Sequence, residues 1–294
     1  MSAMVKGTVV VASNSATIDG VQIDKPLNLK SNYFDINMGL LNFAFNLGNA
    51  VVYNGEVHIL GGNTSNHFKW NGSEWVTVST LPYSLQLGCA VVYDGCIHIM
   101  GGNSNLTKHY KWDGSSWSEV ASLQFSCVGG CAVVLNNEIH LLGSKTSDYE
   151  TKHFKWNGTN WINVSVLPYK FYYGCAVVFN NEIHIMGTYE SNYETKHYKW
   201  NGSEWIEVAT LSTYLSYGSA VVYDGNIYTL GGASISESRC KFNGTTWERI
   251  EDLPVRFYQG SAVVHDDSIW ILGGTNNNQN QFHILGVKLY KEIL

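Results

Sequence analysis

The stretch that decides the fold is GCAVVYDGCIHIMGG, residues 88–102. It contains two apolar runs that are separated by Asp94-Gly95 and followed by a double glycine. Runs rich in Val and Ile on either side of an Asp-Gly pair are typical of two antiparallel strands joined by a tight turn. The phrase Gly-x-Ala-Val-Val recurs at intervals of 40 to 44 residues, starting at Gly48, Gly88, Gly130, Gly174, Gly218 and Gly260. A fixed period of this length indicates a repeat architecture.

Each repeat contains four strand candidates, named a to d in chain order. Strand a carries the Ala-Val-Val phrase, strand b ends at the glycines, strand c is aromatic, and strand d begins at a Trp. The a–b pairs such as Asn54-Gly55 and the c–d pairs such as Asn71-Gly72 both predict type I′ hairpin turns. Four strands in 40 to 44 residues correspond to one blade of a β-propeller. The sequence therefore predicts an all-β, six-bladed propeller with four antiparallel strands per blade.

These repeats resemble those of the kelch family of β-propellers, and in particular the Asn- and Tyr-rich kelch chains of bacteria and their phages. The resemblance is carried by the double glycine, by the aromatic residue on strand c, and by the Trp that follows, and it covers residues 41 to 294. The sequence departs from the pattern in three places. Ser144 and Thr188 replace the second glycine, strand b has His instead of Tyr in four repeats, and the sixth repeat lacks the W-N-G-x-x-W signature.

The ends of the chain leave the closure of the ring open. Residues 1–35 are expected to be an N-terminal extension, and residues 36–294 the propeller. One interpretation is that the N-terminal segment donates the outer strand that the sixth repeat lacks, because residues 36–48 align with the end of a normal repeat. The alternative is that residues 288–293 complete the last blade, which leaves the extension free to attach the protein to a partner.

Composition excludes several classes of protein. The chain of 294 residues has a net charge of −6, which does not favour nucleic-acid binding. Its apolar runs are too short for membrane insertion, and the N-terminus lacks the apolar core of a signal peptide. We therefore expect synthesis in the cytoplasm, with assembly into a virion as one destination. No cofactor is expected.

The loops divide into a uniform end and a variable end. In a four-stranded meander the a–b and c–d turns lie at one end of the blade, and the b–c loops and d–a connections lie at the other. The second end carries the variation in length and chemistry, and loops on a rigid scaffold are where binding residues concentrate. Kelch relatives bind partners through these same loops. Tyr and Arg often anchor interfaces, so the predicted ligand-binding residues are Lys170, Tyr172, Tyr173, Tyr214, Tyr217, Arg256 and Tyr258, together with Tyr83 and Phe125.

Metal and enzymatic chemistry are expected to be absent. Eight of the ten histidines occupy two repeated positions, and Tyr228, Trp270, Arg239 or Gln281 stands there in other repeats. Such interchange favours packing over metal binding. Cys89, Cys131 and Cys175 alternate with Asn and Ser at one position, which indicates free thiols near the axis. Among kelch-like enzymes, galactose oxidases need a further domain for their copper site, and sialic acid mutarotases use arginines, of which this chain has three.

The predicted function is therefore non-enzymatic binding through the loop face. The preferred hypothesis is a phage tail or virion protein that recognises a cell-surface glycan or protein receptor, with the extension attaching it to other virion proteins. The alternatives are a cytoplasmic module for protein–protein interaction and a mutarotase-like sugar enzyme.

Overall fold

The computed structural model describes residues 9–12, 15–18, 21–23, 33–36, 45–253, 256–274 and 286–289, with side chains within 45–253 and 256–274. Near the N-terminus, β1 (Val9–Ala12), β2 (Ser15–Ile18) and β3 (Val21–Ile23) form a three-stranded antiparallel sheet. A further strand, β4, covers Tyr33–Ile36. No described segment forms a helix long and apolar enough to cross a membrane.

The first five repeats each fold into a four-stranded antiparallel meander, which confirms four strands per blade. Blade one consists of β5 (Asn49–Tyr53), β6 (Glu56–Leu60), β7 (Asn66–Trp70) and β8 (Trp75–Thr80). Blade two consists of β9 (Cys89–Tyr93), β10 (Cys96–Met100), β11 (His109–Trp112) and β12 (Trp117–Glu119). Blade three consists of β13 (Cys131–Leu135), β14 (Glu138–Leu142), β15 (Lys152–Trp156) and β16 (Trp161–Val166). Blade four consists of β17 (Cys175–Phe179), β18 (Glu182–Met186), β19 (His197–Trp200) and β20 (Trp205–Glu207). Blade five consists of β21 (Ser219–Tyr223), β22 (Asn226–Leu230), β23 (Arg239–Phe242) and β24 (Trp247–Arg249).

The prediction of six blades is wrong, because the described residues form five four-stranded blades. The sixth repeat supplies only the two-stranded sheet of β25 (Ser261–His265) and β26 (Ser268–Leu272). The physical reason is the missing W-N-G-x-x-W signature, without which the repeat has no Trp-paired c–d hairpin.

The ring closes through both ends of the chain. Strand β25 lies between the innermost strands of blades five and one. Strand β27 (Gly286–Leu289) lies beside β26 and pairs antiparallel with β4, with Gly286 opposite Ile36. We call β4, β25, β26 and β27 the closing unit. The N-terminal segment and the C-terminal segment thus both contribute a strand to the closing unit.

The two kinds of turn at the uniform end differ from each other. All six a–b turns have two consecutive residues at positive φ, such as Asn54 and Gly55 at 50° and 77°, which agrees with the predicted type I′ geometry. The predicted type I′ c–d turns are wrong. Only the glycine there has positive φ, and the loop spans four residues between Trp70 and Trp75. The Asn71 side chain sets this loop by accepting backbone N–H bonds from Ser73 and Glu74, each 2.9 Å long.

The hydrophobic core lies between neighbouring blades. The tryptophans at the end of strand c and the start of strand d face each other, as in the pair Trp112–Trp117 with ring centroids 5.6 Å apart. His67 of blade one packs edge-on against both rings of this pair in blade two, at 5.3 and 5.7 Å. The same arrangement recurs along the next three junctions. Each blade therefore buries its aromatic face against the next one.

The glycine that follows strand b in each repeat lies where backbones of neighbouring units almost touch. A Cβ added at any of these six glycines would stand 1.9 to 2.3 Å from a carbonyl oxygen in the next d–a connection. They are Gly61, Gly101, Gly143, Gly187, Gly231 and Gly273, all at positive φ. At the second position the backbone differs between repeats, since Ser144 and Thr188 stand there without positive φ. The Ser144 hydroxyl accepts a bond from the Val128 N–H, and the Thr188 hydroxyl donates to the Lys170 carbonyl.

Removal of β4 is expected to destabilise the ring, because β27 would lose its strand partner. Deletion of residues 1–36 should lower the melting temperature by about 5 °C or more, the shift expected for a loss of roughly 2 kcal/mol in a chain of this size. The matched control is deletion of residues 1–24, which removes β1, β2 and β3 but keeps β4. Calorimetry that gives the same melting temperature for both deletions would rule out a stabilising role for β4.

Candidate binding site at the channel mouth

A ring of backbone hydrogen bonds surrounds the axis at the variable end. Each of the six d–a connections contributes one residue in the left-handed conformation, with φ between 55° and 67°. The N–H of each donates to the carbonyl of its counterpart in the preceding unit over 2.7 to 2.9 Å. In chain order the members are Leu47, Leu87, Gly129, Tyr173, Tyr217 and Gln259. Because the Leu47 N–H donates to the Gln259 carbonyl, the circle is complete, and we call it the mouth ring.

The mouth ring fixes the backbone but varies in side chain. Its members line the entrance of the central channel, together with the glycine that follows each of them. Leu is rarely found in the left-handed conformation, so the ring geometry is imposed by the fold and not by local preference. Leucines occupy one side of the ring and tyrosines the other. The chemically distinct side of the mouth is therefore the one formed by the connections into blades four and five.

Five tyrosines gather on that side, and we call them the tyrosine cluster: Tyr172, Tyr173, Tyr189, Tyr217 and Tyr258. Tyr173 and Tyr217 stack with ring centroids 4.2 Å apart and planes 21° apart. Tyr189 stands edge-on to both, at 6.1 and 5.7 Å. Tyr172 contacts Tyr173 at 5.5 Å, and Tyr258 contacts Tyr217 at 5.4 Å. The cluster draws on blades four and five and on the closing unit.

The stacked pair of Tyr173 and Tyr217 extends over the mouth ring towards blade three. The Tyr173 ring lies so close to Gly129 that a Cβ on that glycine would stand 2.3 Å from Cε1. The glycine in the mouth ring thus makes room for the tyrosine of the next blade. The Lys145 Nζ lies 5.8 Å from the centroid of the same ring, within the range of a cation–π contact.

The tyrosine cluster contains one directly bonded carboxylate. The Tyr172 hydroxyl donates to Glu190 Oε2 over 2.9 Å. Burial, followed by this bond, raises the pKa of Tyr172 to about 12. Burial and the neighbouring Tyr173 also raise the pKa of Tyr217. Both hydroxyls are therefore protonated at neutral pH, and the Tyr172 proton is donated to Glu190.

The structure brings together four of the predicted residues and separates the others. Tyr172, Tyr173, Tyr217 and Tyr258 belong to the cluster. Tyr214 is 58% exposed and contacts no other aromatic ring among the described residues. The two predicted cations are engaged by carboxylates of the preceding b–c loops. Arg256 Nε donates to Glu237 Oε1 over 2.8 Å, and Lys170 Nζ lies 3.5 Å from Glu150 Oε1.

Tyr83 and Phe125 are core residues, so their assignment to the binding face is corrected. Tyr83 is 8% exposed, and its hydroxyl donates to the Gly101 carbonyl over 2.9 Å. Phe125 is 3% exposed and stacks on Phe154 with centroids 4.0 Å apart. Both side chains turn inwards between blades, because their position in the d–a connection precedes the part that reaches the mouth.

Sequence reasoning missed Tyr189, the most exposed member of the cluster at 58%. It lies in the b–c loop of blade four, two residues after Gly187, and the residue there is not aromatic in the other repeats. A comparison of the b–c loops alone could have found this departure. The contact between Tyr189 and Tyr217, which lies 28 positions further along the chain, could not be predicted from the sequence.

The repeated histidines form bonded pairs within blades one to four. A b-strand His Nδ1 lies 2.7 or 2.8 Å from a c-strand His Nε2 in the pairs His58–His67, His98–His109, His140–His153 and His184–His197. Burial lowers the pKa of each b-strand member to about 4 and of each c-strand member to about 3. The pairs are therefore neutral at pH 7. Among the described residues no group of three or more His, Cys, Asp or Glu is arranged to hold a metal ion.

The channel below the mouth has polar walls. A cavity of about 250 Å³ is lined by the first residue of each innermost strand and by its neighbours. These first residues are Asn49, Cys89, Cys131, Cys175, Ser219 and Ser261. Several of them bond across to the next unit, as where the Asn49 amide donates to the Gly88 carbonyl over 3.1 Å. All six cysteines are free thiols, and the small residues of this position serve contacts between blades.

Comparison with known proteins shows the fold and nothing finer. No family model and no curated protein sequence matches the chain. The solved structure of YjhT is similar to it, with a TM-score of 0.74 over 86% of this chain and 97% of that one. The two sequences are 15% identical. The β-propeller fold is thus supported by a solved neighbour.

Proposed function

We propose that this propeller, of the kelch type, is a binding protein that recognises cell-surface carbohydrate through the tyrosine cluster without transforming it. The observation that carries the proposal is the convergence of five tyrosines from three units at the channel mouth. Aromatic side chains offer apolar faces together with polar hydroxyl groups, a combination suited to sugar rings. The rigid mouth ring would present them with little loss of conformational entropy on binding.

The chemistry of the cluster favours binding over catalysis. Tyr172 and Tyr217 hold their protons at neutral pH, and such groups serve better as donors than as general bases. The two predicted cations, Arg256 and Lys170, are engaged by carboxylates. These features support a site that orients hydroxyl groups.

We further propose that residues 1–35 attach the propeller to a larger assembly, such as a virion. The support is the separate sheet of β1, β2 and β3, which lies outside the five blades in strand order. Loss of co-sedimentation with purified particles on deletion of residues 1–24, with glycan binding unchanged, is the expected result. Equal sedimentation of both forms would contradict attachment through this sheet.

Binding through the cluster is tested with a glycan array and the full-length protein. The variant Tyr217→Ala/Tyr258→Ala should weaken binding to the captured glycans by tenfold or more, because buried aromatic anchors are typically worth over 1 kcal/mol each. Tyr193→Ala is the control, since Tyr193 is an exposed tyrosine of the same loop end that stacks on Tyr169 outside the cluster. Failure of the full-length protein to retain any glycan would overturn the proposal in favour of a protein partner.

A further inference from the structure

We infer that the tyrosine cluster takes an uncharged pyranose and discriminates against acidic sugars, with Tyr189 as the stacking residue and Glu190 as the acceptor of the sugar hydroxyls. This inference rests on the proposed function and goes beyond it by naming the class of ligand. It is carried by three observations: the exposure of one ring, the charge at the mouth, and the pairing of the nearby cations.

Tyr189 is the ring that offers a free surface. Tyr173 is buried by its stack on Tyr217 and by Gly129, so its faces are largely covered. Tyr189 stands edge-on to this stacked pair and is itself 58% exposed. An exposed ring whose orientation is fixed by aromatic neighbours loses little freedom when a sugar ring packs on it. The C–H face of a pyranose matches such a surface.

Glu190 places an acceptor directly beside that ring. One of its oxygens, Oε2, accepts the Tyr172 hydroxyl, which orients the carboxylate within the cluster. Carboxylates accept strong, charge-assisted hydrogen bonds from hydroxyl groups. The same negative charge repels a ligand carboxylate or sulfate. Glu190 therefore favours a neutral polyol and opposes an acidic one.

Two of the cations that could hold an acidic sugar are committed elsewhere. Arg256 binds Glu237, and Lys170 lies against Glu150. Lys145 faces the Tyr173 ring, and the negative charge of Glu190 opposes its charge at the same mouth. Recognition of a carboxylate typically uses an arginine whose two donors are free to bind it side by side. The described part of the mouth offers no arginine in that state, since Arg239 is a blade residue on β23 and Arg249 binds Asp252.

The experiment is isothermal titration of the full-length protein with lactose, cellobiose, N,N′-diacetylchitobiose and 3′-sialyllactose. We expect at least one neutral disaccharide to bind at least tenfold more tightly than 3′-sialyllactose. Tyr189→Ala should weaken that binding about tenfold or more. Tyr214→Ala, which removes an equally exposed tyrosine outside the cluster, should leave it unchanged.

Glu190→Gln distinguishes neutral from acidic ligands, because it should change the affinity for the two classes in opposite directions. It should weaken the neutral sugar severalfold, because an amide oxygen is a poorer acceptor than a carboxylate. If the natural ligand were acidic, the same change would tighten binding. Preference for 3′-sialyllactose, or tighter binding by Glu190→Gln, would overturn this inference while leaving carbohydrate binding intact. Absence of binding to any sugar on the array would instead overturn the proposed function.

Discussion

Acidification from pH 6.5 to pH 5 is expected to destabilise this protein far more than a propeller without histidine pairs. Eight buried histidines have their pKa lowered from 6.5 to about 3 or 4. The folded state therefore holds them neutral, while the unfolded chain takes up protons as the pH falls below 6.5. Stability is fully present above that value and is lost as the pH falls towards the folded pKa.

The expected loss of stability is large compared with the total free energy of unfolding. Each such histidine contributes on the order of 2 kcal/mol of lost stability at pH 5. Eight together rival the entire free energy of unfolding of an ordinary domain, about 5–15 kcal/mol. Carboxylates titrate mostly below pH 5, so the interval from 6.5 to 5 isolates the histidines. We expect urea denaturation across this interval to show a steep fall in the free energy of unfolding.

The repeat itself provides a matched variant. In blade five, Tyr228 and Arg239 stand where blades one to four have a histidine pair. The double variant His184→Tyr/His197→Arg therefore gives blade four the residues of blade five. It should remove about a quarter of the pH dependence, since two of the eight histidines are lost. A free energy of unfolding that stays level between pH 6.5 and 5 would refute the role of the pairs.

Gly231→Ala is expected to cost at least ~4 kcal/mol or to prevent folding, since overlap with a fixed backbone belongs to the most destabilising class of substitutions. The new Cβ would stand 1.9 Å from the Phe257 carbonyl oxygen, and the Gly231 N–H is bonded to the Ser238 carbonyl. The Phe257 carbonyl cannot move without displacing the d–a connection that contains Gln259 of the mouth ring. Positive φ adds a further penalty of about 1 kcal/mol.

One control in the same blade separates overlap from backbone preference. Gly225 has φ of 68°, nearly that of Gly231 at 66°, but a Cβ there would meet nothing within 4 Å. Gly225→Ala should therefore cost only the left-handed penalty, about 1 kcal/mol. Equal losses for Gly231→Ala and Gly225→Ala in chemical denaturation would show that backbone preference, and not the overlap, is what fixes the glycine.

Much of the fold could be predicted because each repeat contains the sequence signals for its own strands and turns. The a–b turns followed from Asn-Gly and Asp-Gly pairs, and the meander followed from turn spacing. The c–d turns were mispredicted because the Asn71 side chain, through bonds that sequence does not reveal, builds a longer loop. The blade count failed where the sixth repeat loses its Trp-based hairpin, since its later strand pairs with a segment 250 positions away.

The site was predictable only in part, for a related reason. The residue types of the d–a connections pointed to Tyr172, Tyr173, Tyr217 and Tyr258, which the structure gathers. The same reasoning included Tyr83 and Phe125, because the sequence does not show which residue of a d–a connection turns inwards. It also weighted Arg256 towards ligand binding, whereas the structure pairs it with Glu237. Contacts between one loop and the next decide these assignments, and no single repeat contains them.

The pairing of β4 with β27 has a consequence for how the protein is made. Strand β4 leaves the ribosome before any blade, whereas its partner emerges 250 residues later. Blades one to five can each form their hairpins as they appear, but the closing unit cannot assemble until synthesis is nearly complete. Until then β4 is an unpaired strand edge beside a growing row of blades, a state that invites pairing with a neighbouring nascent chain. Ribosomes crowded on one message would thus be the setting in which this ring is most exposed to exchange of strands between copies.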